Sequence, residues 1–443
     1  MKKIILLICL TSTVAFAQQD TTQSSGDDMF DLSLEQLLNL DLVDKNFYLY
    51  GYINANLQKT FDYPSYGADG KTKRMSDPTE WTPVKNFHIY GTGNLNSKIS
   101  YLFNLAYNDD IIEVRNAWGN FAVNEKLQLR VGKMYRKFGL YNERLDQIPT
   151  FIGIEAPEML DADHLFLMRT TNFMVHGAFK NSRREISYAL MTDNGENGPV
   201  RKLIPMGWDL RYKSYNNSFI IGTSGYASSL NSTKTTSTVA LGDGSPSGGI
   251  LPWMAGDRFV VAGIFFEKQF GKFLVQSEYY NAAHEGTRDP LSVIEVVKNA
   301  GINKFQRERF LGDNAEKVDA ALVEGDVVTK VKYNVQTWYV RVGYNIQSEV
   351  GQFIPYLFVD WMSHPENIRN KDFGGDDESG LADDGKFLKP SVGVVYRPIP
   401  AVAIKLDGSY HQQKFNGETG LYPEVRLDFS FAFSNSQIEK AMK

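Results

Sequence analysis

From Asn46 onward the apolar residues of this chain recur at every second position. In FYLYGYINANLQ, Phe47, Leu49, Ile53, Ala55 and Leu57 alternate with Tyr48, Tyr50, Tyr52, Asn54, Asn56 and Gln58. Successive side chains of a β-strand point to opposite faces, so this spacing predicts a strand with one apolar and one polar side. The last such stretch sets Val425, Leu427, Phe429, Phe431 and Phe433 against Arg426, Asp428, Ser430 and Ala432. Including these two, the alternation predicts strands over 46–60, 85–95, 99–109, 111–123, 126–137, 168–180, 184–193, 206–215, 217–228, 256–269, 272–284, 330–347, 352–363, 387–397, 401–414 and 421–433. At 217–228 and 256–269 either face could be the apolar one.

The connections sort by length. Those after even-numbered strands are short (NLNSK, VNEK, NSR, NN, FGK, QSEVGQ, PIP), whereas most after odd-numbered strands are long: 61–84, 138–167, 194–205, 229–255, 285–329 and 364–386. Short turns on one rim and long loops on the other are the asymmetry of outer-membrane barrels. Strands in lipid must also satisfy every backbone group, so the sheet has to close, the last strand pairing with the first. The expected fold is all-β: a transmembrane antiparallel β-barrel of about 16 strands, with short periplasmic turns and long extracellular loops.

The N-terminus fits export. Lys2 and Lys3 precede the apolar run Ile4 to Leu10, and Ala15-Phe16-Ala17 is a small-residue cleavage site, which predicts a signal peptide over 1–17. A leader at 18–45 carries a short amphipathic helix near 34–41, capped by Ser33 with Gln36 and stapled by Leu32 and Leu37, expected to lie against the periplasmic rim. The barrel then takes 46–433, and 434–443 is a periplasmic tail. Too few residues separate Ala17 from Asn46 for the plug domain of an energised receptor. Cys9 is the only cysteine and falls in the signal peptide, so no disulfide is expected. No apolar run is long enough for a membrane helix. The formal charge of −5 is small for 443 residues, and no nucleic-acid partner is expected.

If the apolar face meets lipid, the opposite face carries Arg130, Arg136, Arg211, Lys213, Arg341, Lys389, Arg397, Lys405 and Arg426, with Asp209, Glu278, Asp360, Asp407 and Asp428 among them. These basic residues are the candidate pore lining. Their surplus predicts a weak anion preference, strongest at Arg130 and Arg136, which enter the long loop. The same-face pairs Asp209–Arg211, Lys405–Asp407 and Arg426–Asp428 would neutralise each other. The loop at 146–169 is unusually apolar, with Phe151, Ile152, Ile154, Met159, Leu160, Leu165 and Phe166. It either folds into the barrel and narrows it or packs at a subunit contact.

Catalytic signals are sparse. His88, His164, His176, His284, His364 and His411 stand singly, none at metal spacing. A barrel-type hydrolase would need a Ser or Asp beside His88, His164 or His411. The acidic, glycine-rich loops 193–198 and 374–385 match no twelve-residue calcium loop. No enzyme activity, cofactor or metal is expected. Long loops leave an adhesin or assembly scaffold as a further reading.

Residues 127–143, LQLRVGKMYRKFGLYNE, resemble a segment of the phosphate-selective porin O/P family of Gram-negative outer membranes. There a Leu-Arg-apolar-Gly strand runs into an aromatic-Gly-Leu turn; here these are Leu129, Arg130, Val131, Gly132, then Phe138, Gly139 and Leu140. Lys137 stands where the family often has proline. The resemblance implies a sixteen-stranded, usually trimeric porin in the outer membrane, passing small hydrophilic or anionic solutes and surrounded by outer-membrane lipids. The family's arginine ladder and lysine cluster do not map residue by residue, so phosphate selectivity is not implied.

Overall fold

The computed structural model describes Leu34, Leu38 and residues 47–66, 72–75, 80–108, 111–163, 169–194, 204–215, 218–231, 254–288, 330–363, 386–415 and 418–435. Sixteen strands cross the molecule: β1 (Phe47–Thr60), β2 (Glu80–Asn94), β3 (Ile99–Asn108), β4 (Ile111–Asn124), β5 (Leu127–Tyr135), β6 (Arg169–Lys180), β7 (Arg184–Asp193), β8 (Met206–Ser214), β9 (Phe219–Asn231), β10 (Met254–Phe270), β11 (Phe273–Arg288), β12 (Lys330–Tyr344), β13 (Gly351–Ser363), β14 (Lys386–Arg397), β15 (Val402–Phe415) and β16 (Glu418–Ser434). Ile346–Ser348 continues β12 against β13. Each strand pairs antiparallel with its sequence neighbours. β1 pairs with β2 on one side and β16 on the other, Ile53 facing Phe431 and Leu57 facing Leu427. The barrel is closed, and the apolar C-terminal stretch is its closing strand.

Every predicted strand is present. The differences lie at the ends, where hydrogen bonding outlasts the alternation. β2 begins at Glu80 and β11 runs on to Arg288. A small hairpin, Tyr63–Tyr66 with Thr72–Met75, stands where the pattern predicts only loop. β5 stops at Tyr135, so Arg136 opens the following loop instead of sitting on the strand. β16 ends one residue later than expected, because Ser434 still pairs with Tyr50.

The polar faces turn inward. Tyr48, Tyr50, Tyr52, Asn54 and Asn56 are buried, whereas Phe47, Leu49 and Ile53 are exposed. The two ambiguous strands resolve in the same way. β9 turns Ser224, Tyr226 and Ser228 inward and Ile221 outward; β10 turns Asp257, Phe259, Val261, Phe265 and Glu267 inward and Val260 and Ile264 outward. Phe259, Val261 and Phe265 hid the pattern because the lumen here holds apolar side chains of its own. Outward aromatics gather near the short turns, in pairs such as Phe273 with Tyr344 (4.6 Å) and Phe353 with Tyr396 (4.5 Å). An aromatic belt at the edge of an apolar band matches the lipid–water boundary.

This outer band makes a direct prediction. Ile264 lies near the middle of β10 and is 62 % exposed. Ile264→Arg should cost about 2–4 kcal/mol, the usual penalty for a cation at the bilayer midplane. The check is the urea midpoint for folding into lipid vesicles, followed by gel migration of unboiled samples. An unchanged midpoint would place the lipid belt elsewhere.

Candidate functional site: a loop pinned across the lumen

β5 delivers the chain into the lumen through a constrained turn. Gly139 has φ +60°, and a Cβ there would lie 1.9 Å from the Glu278 carboxylate. Only glycine fits that left-handed conformation and close approach. Its N–H donates to Ser224 Oγ at 3.0 Å. The loop continues through short 3-10 turns at Asn142–Arg144, Ile148–Thr150 and Glu158–Asp163, the second with Pro149 near its start.

The apolar residues of this loop pack against the inner wall. Phe138 meets Tyr280 (ring centroids 4.4 Å apart), and Tyr141 lies between Phe151 (5.0 Å) and Tyr339 (6.2 Å). Ile152, Met159 and Leu160 share one buried cluster with Tyr226, Phe259, Ile354 and Phe358. Of the two readings left open by the sequence, the inward fold is the one observed for residues 146–163; Leu165 and Phe166 lie outside the described residues.

Polar contacts then fix the loop to one side, β12 to β16. Lys405 donates to the carbonyls of Ile148 and Gly153, the latter at 3.0 Å. Arg397 donates to the carbonyls of Pro149 (3.2 Å) and Thr150 (3.3 Å). Arg341 reaches the Glu155 carbonyl at 3.1 Å and the Tyr141 hydroxyl. Lys389 bridges the carboxylates of Glu155 (2.7 Å) and Glu158 (3.3 Å), while the Glu158 N–H donates to Asp360 at 2.6 Å. Arg426 pairs with Glu155 and, at 2.6 Å, with Glu424. Long cationic side chains supply several donors from a sheet whose own backbone is fully paired, so they are suited to capture the bare carbonyls of an irregular loop.

The opposite side, β1 to β5, keeps a gap. A cavity of about 60 Å³, room for a few waters, lies between Tyr50, Tyr90, Leu102, Asn116, Trp118, Arg130, Met134 and Tyr135 on the wall and Glu143, Asp146 and Gln147 on the loop. Asp146 is held by Tyr135 (2.6 Å), Asn104 (3.2 Å) and, through its carbonyl, Tyr90 (2.6 Å). Arg130 lies over the Trp118 ring at 4.2 Å, a favourable cation–π distance.

All the basic residues singled out in the sequence fall on the inner side: Arg130, Arg136, Arg211, Lys213, Arg341, Lys389, Arg397 and Lys405 are buried and Arg426 is partly so. They are not one ring. Arg341, Lys389, Arg397, Lys405 and Arg426 hold the loop, and Arg211 reaches Glu143 at 3.4 Å. Arg136 pairs with Asp193 at 2.7 Å, both fully buried, and reaches the Tyr226 hydroxyl. Of the expected same-face pairs, Asp209–Arg211 is present at 2.6 Å. Asp407 instead accepts from Tyr356 of another strand, and Asp428 from Asn54 across the closing seam and from Ser430 on its own strand. The loop residues Glu155, Glu158, Glu143 and Asp146 carried no sequence signal for these roles.

Among the described residues no histidine has the geometry of a hydrolase triad. His411 Nε2 meets Ser409 Oγ at 2.9 Å, but the Glu424 carboxylate is on that same nitrogen (3.5 Å) and Nδ1 faces the Tyr422 hydroxyl. A triad needs its carboxylate on the nitrogen opposite the nucleophile. His88 meets Asn104, and His284 pairs with Asp257 with no hydrogen-bond partner on Nε2. His164 and His364 lie outside the described residues. Among the described residues no group of three or more His, Cys, Asp or Glu could hold a metal ion.

The closed sheet, the outward apolar band and the polar interior crossed by a loop define a transmembrane β-barrel of the Gram-negative outer membrane. Among solved structures, the chain is similar to the anion-selective porin from Comamonas acidovorans (TM-score 0.51, 9% identity, covering 87% of this chain and 99% of that one). Further similar structures are the outer-membrane channel DcaP of Acinetobacter baumannii (0.49, 9%, 87% and 97%) and Salmonella typhi OmpF in complex with daunomycin (0.49, 12%, 87% and 97%). No family model matches the sequence, and no curated protein does. The fold is that of the sixteen-stranded porins.

Proposed function

We propose that the protein is a porin through which small hydrophilic solutes diffuse passively, with a weak preference for anions. The observation that carries this reading is the lumen itself. A loop held mainly by β12 to β16, and touching β2, β3 and β5 through Asp146, leaves a polar-rimmed gap beside that second contact, the arrangement by which a barrel admits small solutes and holds back large ones. The candidate lining residue that governs ion preference is Arg130. It lines the gap opposite the loop acids Glu143 and Asp146, and Arg115 and Arg169 on the same wall pair with Glu113 at 2.5 and 3.5 Å, so acids offset much of the basic charge and the preference is weak. Of the cations that hold the loop, Lys389 and Arg426 pair with carboxylates, and Arg341, Arg397 and Lys405 are bound to the loop on the wall away from the gap. The local likeness at 127–143 supports a trimer of the kind its family forms, without supporting phosphate selectivity.

The structure changes the selectivity expectation in one respect. Arg130 and Arg136 were both expected to set it, yet Arg136 is neutralised by Asp193. Arg130→Gln should therefore lower the anion-to-cation permeability ratio, whereas Arg136→Gln should leave the ratio near wild type and reduce stability. Stepwise conductance in planar bilayers tests the channel, and reversal potential across a potassium chloride gradient tests the preference. A wild-type protein that inserts yet passes no current would favour a scaffold, and a cation-selective wild type would end the anion reading.

A further inference from the structure

Asn116 of β4 lines the gap, is 8% exposed and has no side-chain hydrogen-bond partner among the described residues. A buried amide in that condition is costly, and it is found where a ligand or ordered water completes it. The ladder explains why the fold does not pair it. Asn104 faces Asn116 but Leu105 faces Val114, so Arg115 is the extra residue of a bulge, and a bulge re-aims the side chains beside it. Asn104 is already engaged by His88 and Asp146, each at 3.2 Å. A second amide meets the gap from the loop. Leu34 and Leu38 were expected against the periplasmic rim with the rest of the leader, but both are buried inside the barrel, in one cluster with Tyr50, Tyr90, Leu102, Trp118 and Met134. The Leu34 N–H donates to Gln147 Oε1 at 3.3 Å, which leaves the Gln147 NH2 group with no partner among the described residues. The charged groups at the gap, by contrast, are engaged: Arg130 covers Trp118, Glu143 meets Arg211, and Asp146 accepts from Tyr135 and Asn104.

We infer that the gap is a binding site for a neutral polyhydroxylated solute, a sugar or sugar alcohol. The inference rests on the channel reading above and names its solute. An amide offers a donor and an acceptor together, and a hydroxyl group does the same, so each satisfies the other. A charged solute would have to displace the partners that Arg130, Glu143 and Asp146 already hold. Tyr90, Trp118 and Leu102 supply apolar surface for the C–H groups between hydroxyls. The cavity of about 60 Å³ seats about two or three hydroxyl-bearing carbons at a time. A longer polyol passes by moving successive hydroxyls across the two amides.

The test uses the full-length protein in planar bilayers, with erythritol as the probe. Erythritol should reduce the potassium chloride current saturably, with half-block at roughly millimolar concentration, the affinity that a few net hydrogen bonds supply. Dimethoxyethane, of similar size but without hydroxyls, and glycine, which carries both charges, should reduce it only as bulk viscosity does. Asn116→Leu keeps the shape and removes the amide, and should raise the half-blocking concentration about tenfold, the usual worth of one hydrogen bond. If that variant does not assemble, Gln147→Leu on the loop should act in the same direction. Block by erythritol that never saturates overturns the site, as does equal block by dimethoxyethane or block that neither substitution weakens. Tighter block by glycine assigns the gap to charged solutes and overturns it too. Saturation-transfer NMR of erythritol with the detergent-solubilised protein separates this inference from the channel reading. A silent membrane with saturable binding that Asn116→Leu weakens removes the porin and keeps the site; normal conductance without saturable binding removes the site and keeps the porin.

Discussion

Replacing residues 141–163 with a short Gly-Ser linker should raise single-channel conductance several-fold. The loop leaves β5, crosses to the far wall and is fixed by contacts from β12 to β16. Its removal opens the section where the lumen is narrowest, and conduction follows the width of the constriction. The barrel should still close, because the strand ladders are independent of the loop. It should nonetheless unfold at lower denaturant concentration, since Tyr226, Phe259, Ile354 and Phe358 lose apolar cover. Unchanged conductance with a loss of oligomers would mean that the loop packs between subunits and not across the pore.

Lys389→Met should produce a noisier and less stable channel. Lys389 is the common partner of Glu155 and Glu158, and is itself buried. Removing one side of a buried ion pair leaves carboxylates with lost counter-charge, typically a cost of about 3–5 kcal/mol. Glu155 retains Arg426, so the lost ion pair weighs more on Glu158. Combining Lys389→Met with Glu158→Gln should recover part of the stability, the non-additivity expected of contacting groups. Lys405→Met should cost a comparable amount by a different route, because it strands two carbonyls at about 1–3 kcal/mol each instead of a charge. Unfolding in urea gives the energies, and open-channel current noise reports the loop. If Lys389→Met gave a quiet trace at wild-type stability, the ion pairs would not be holding the loop.

The strands were legible because their signal is local. A residue's face is fixed by parity, and lipid on one side with water on the other makes parity visible in residue type. β1 and β16 show this best: Leu49, Ile53, Val425 and Phe431 face out, and Asn54, Asp428 and Ser430 face in. Parity failed in β9 and β10, in β10 because the inside is also apolar at Phe259, Val261 and Phe265, and in both the face had to come from the fold. Strand ends were less legible, because a ladder extends beyond the membrane wherever its partner does; β2 reaches back to Glu80 on that ground.

The sequence by itself determined the number of strands, which face meets lipid in all but two of them, which rim carries the long loops, and the need for the last strand to meet the first. Each of these follows from alternation or from connection length, read over a few residues at a time. Only the tertiary structure decided what occupies the lumen. Lys389 meets Glu155 across 234 residues of chain and Lys405 meets Gly153 across 252. Arg136 leaves its strand for Asp193, and Leu34 reaches Gln147 across 113 residues. No periodicity encodes such pairs. A charge on the polar face looks the same in sequence whether it faces moving ions or a folded-in loop, and a leucine before the barrel looks the same on the rim or in the pore. What separates these cases is the closure of the sheet, which encloses the loop and leader residues and leaves the inner wall as their partner.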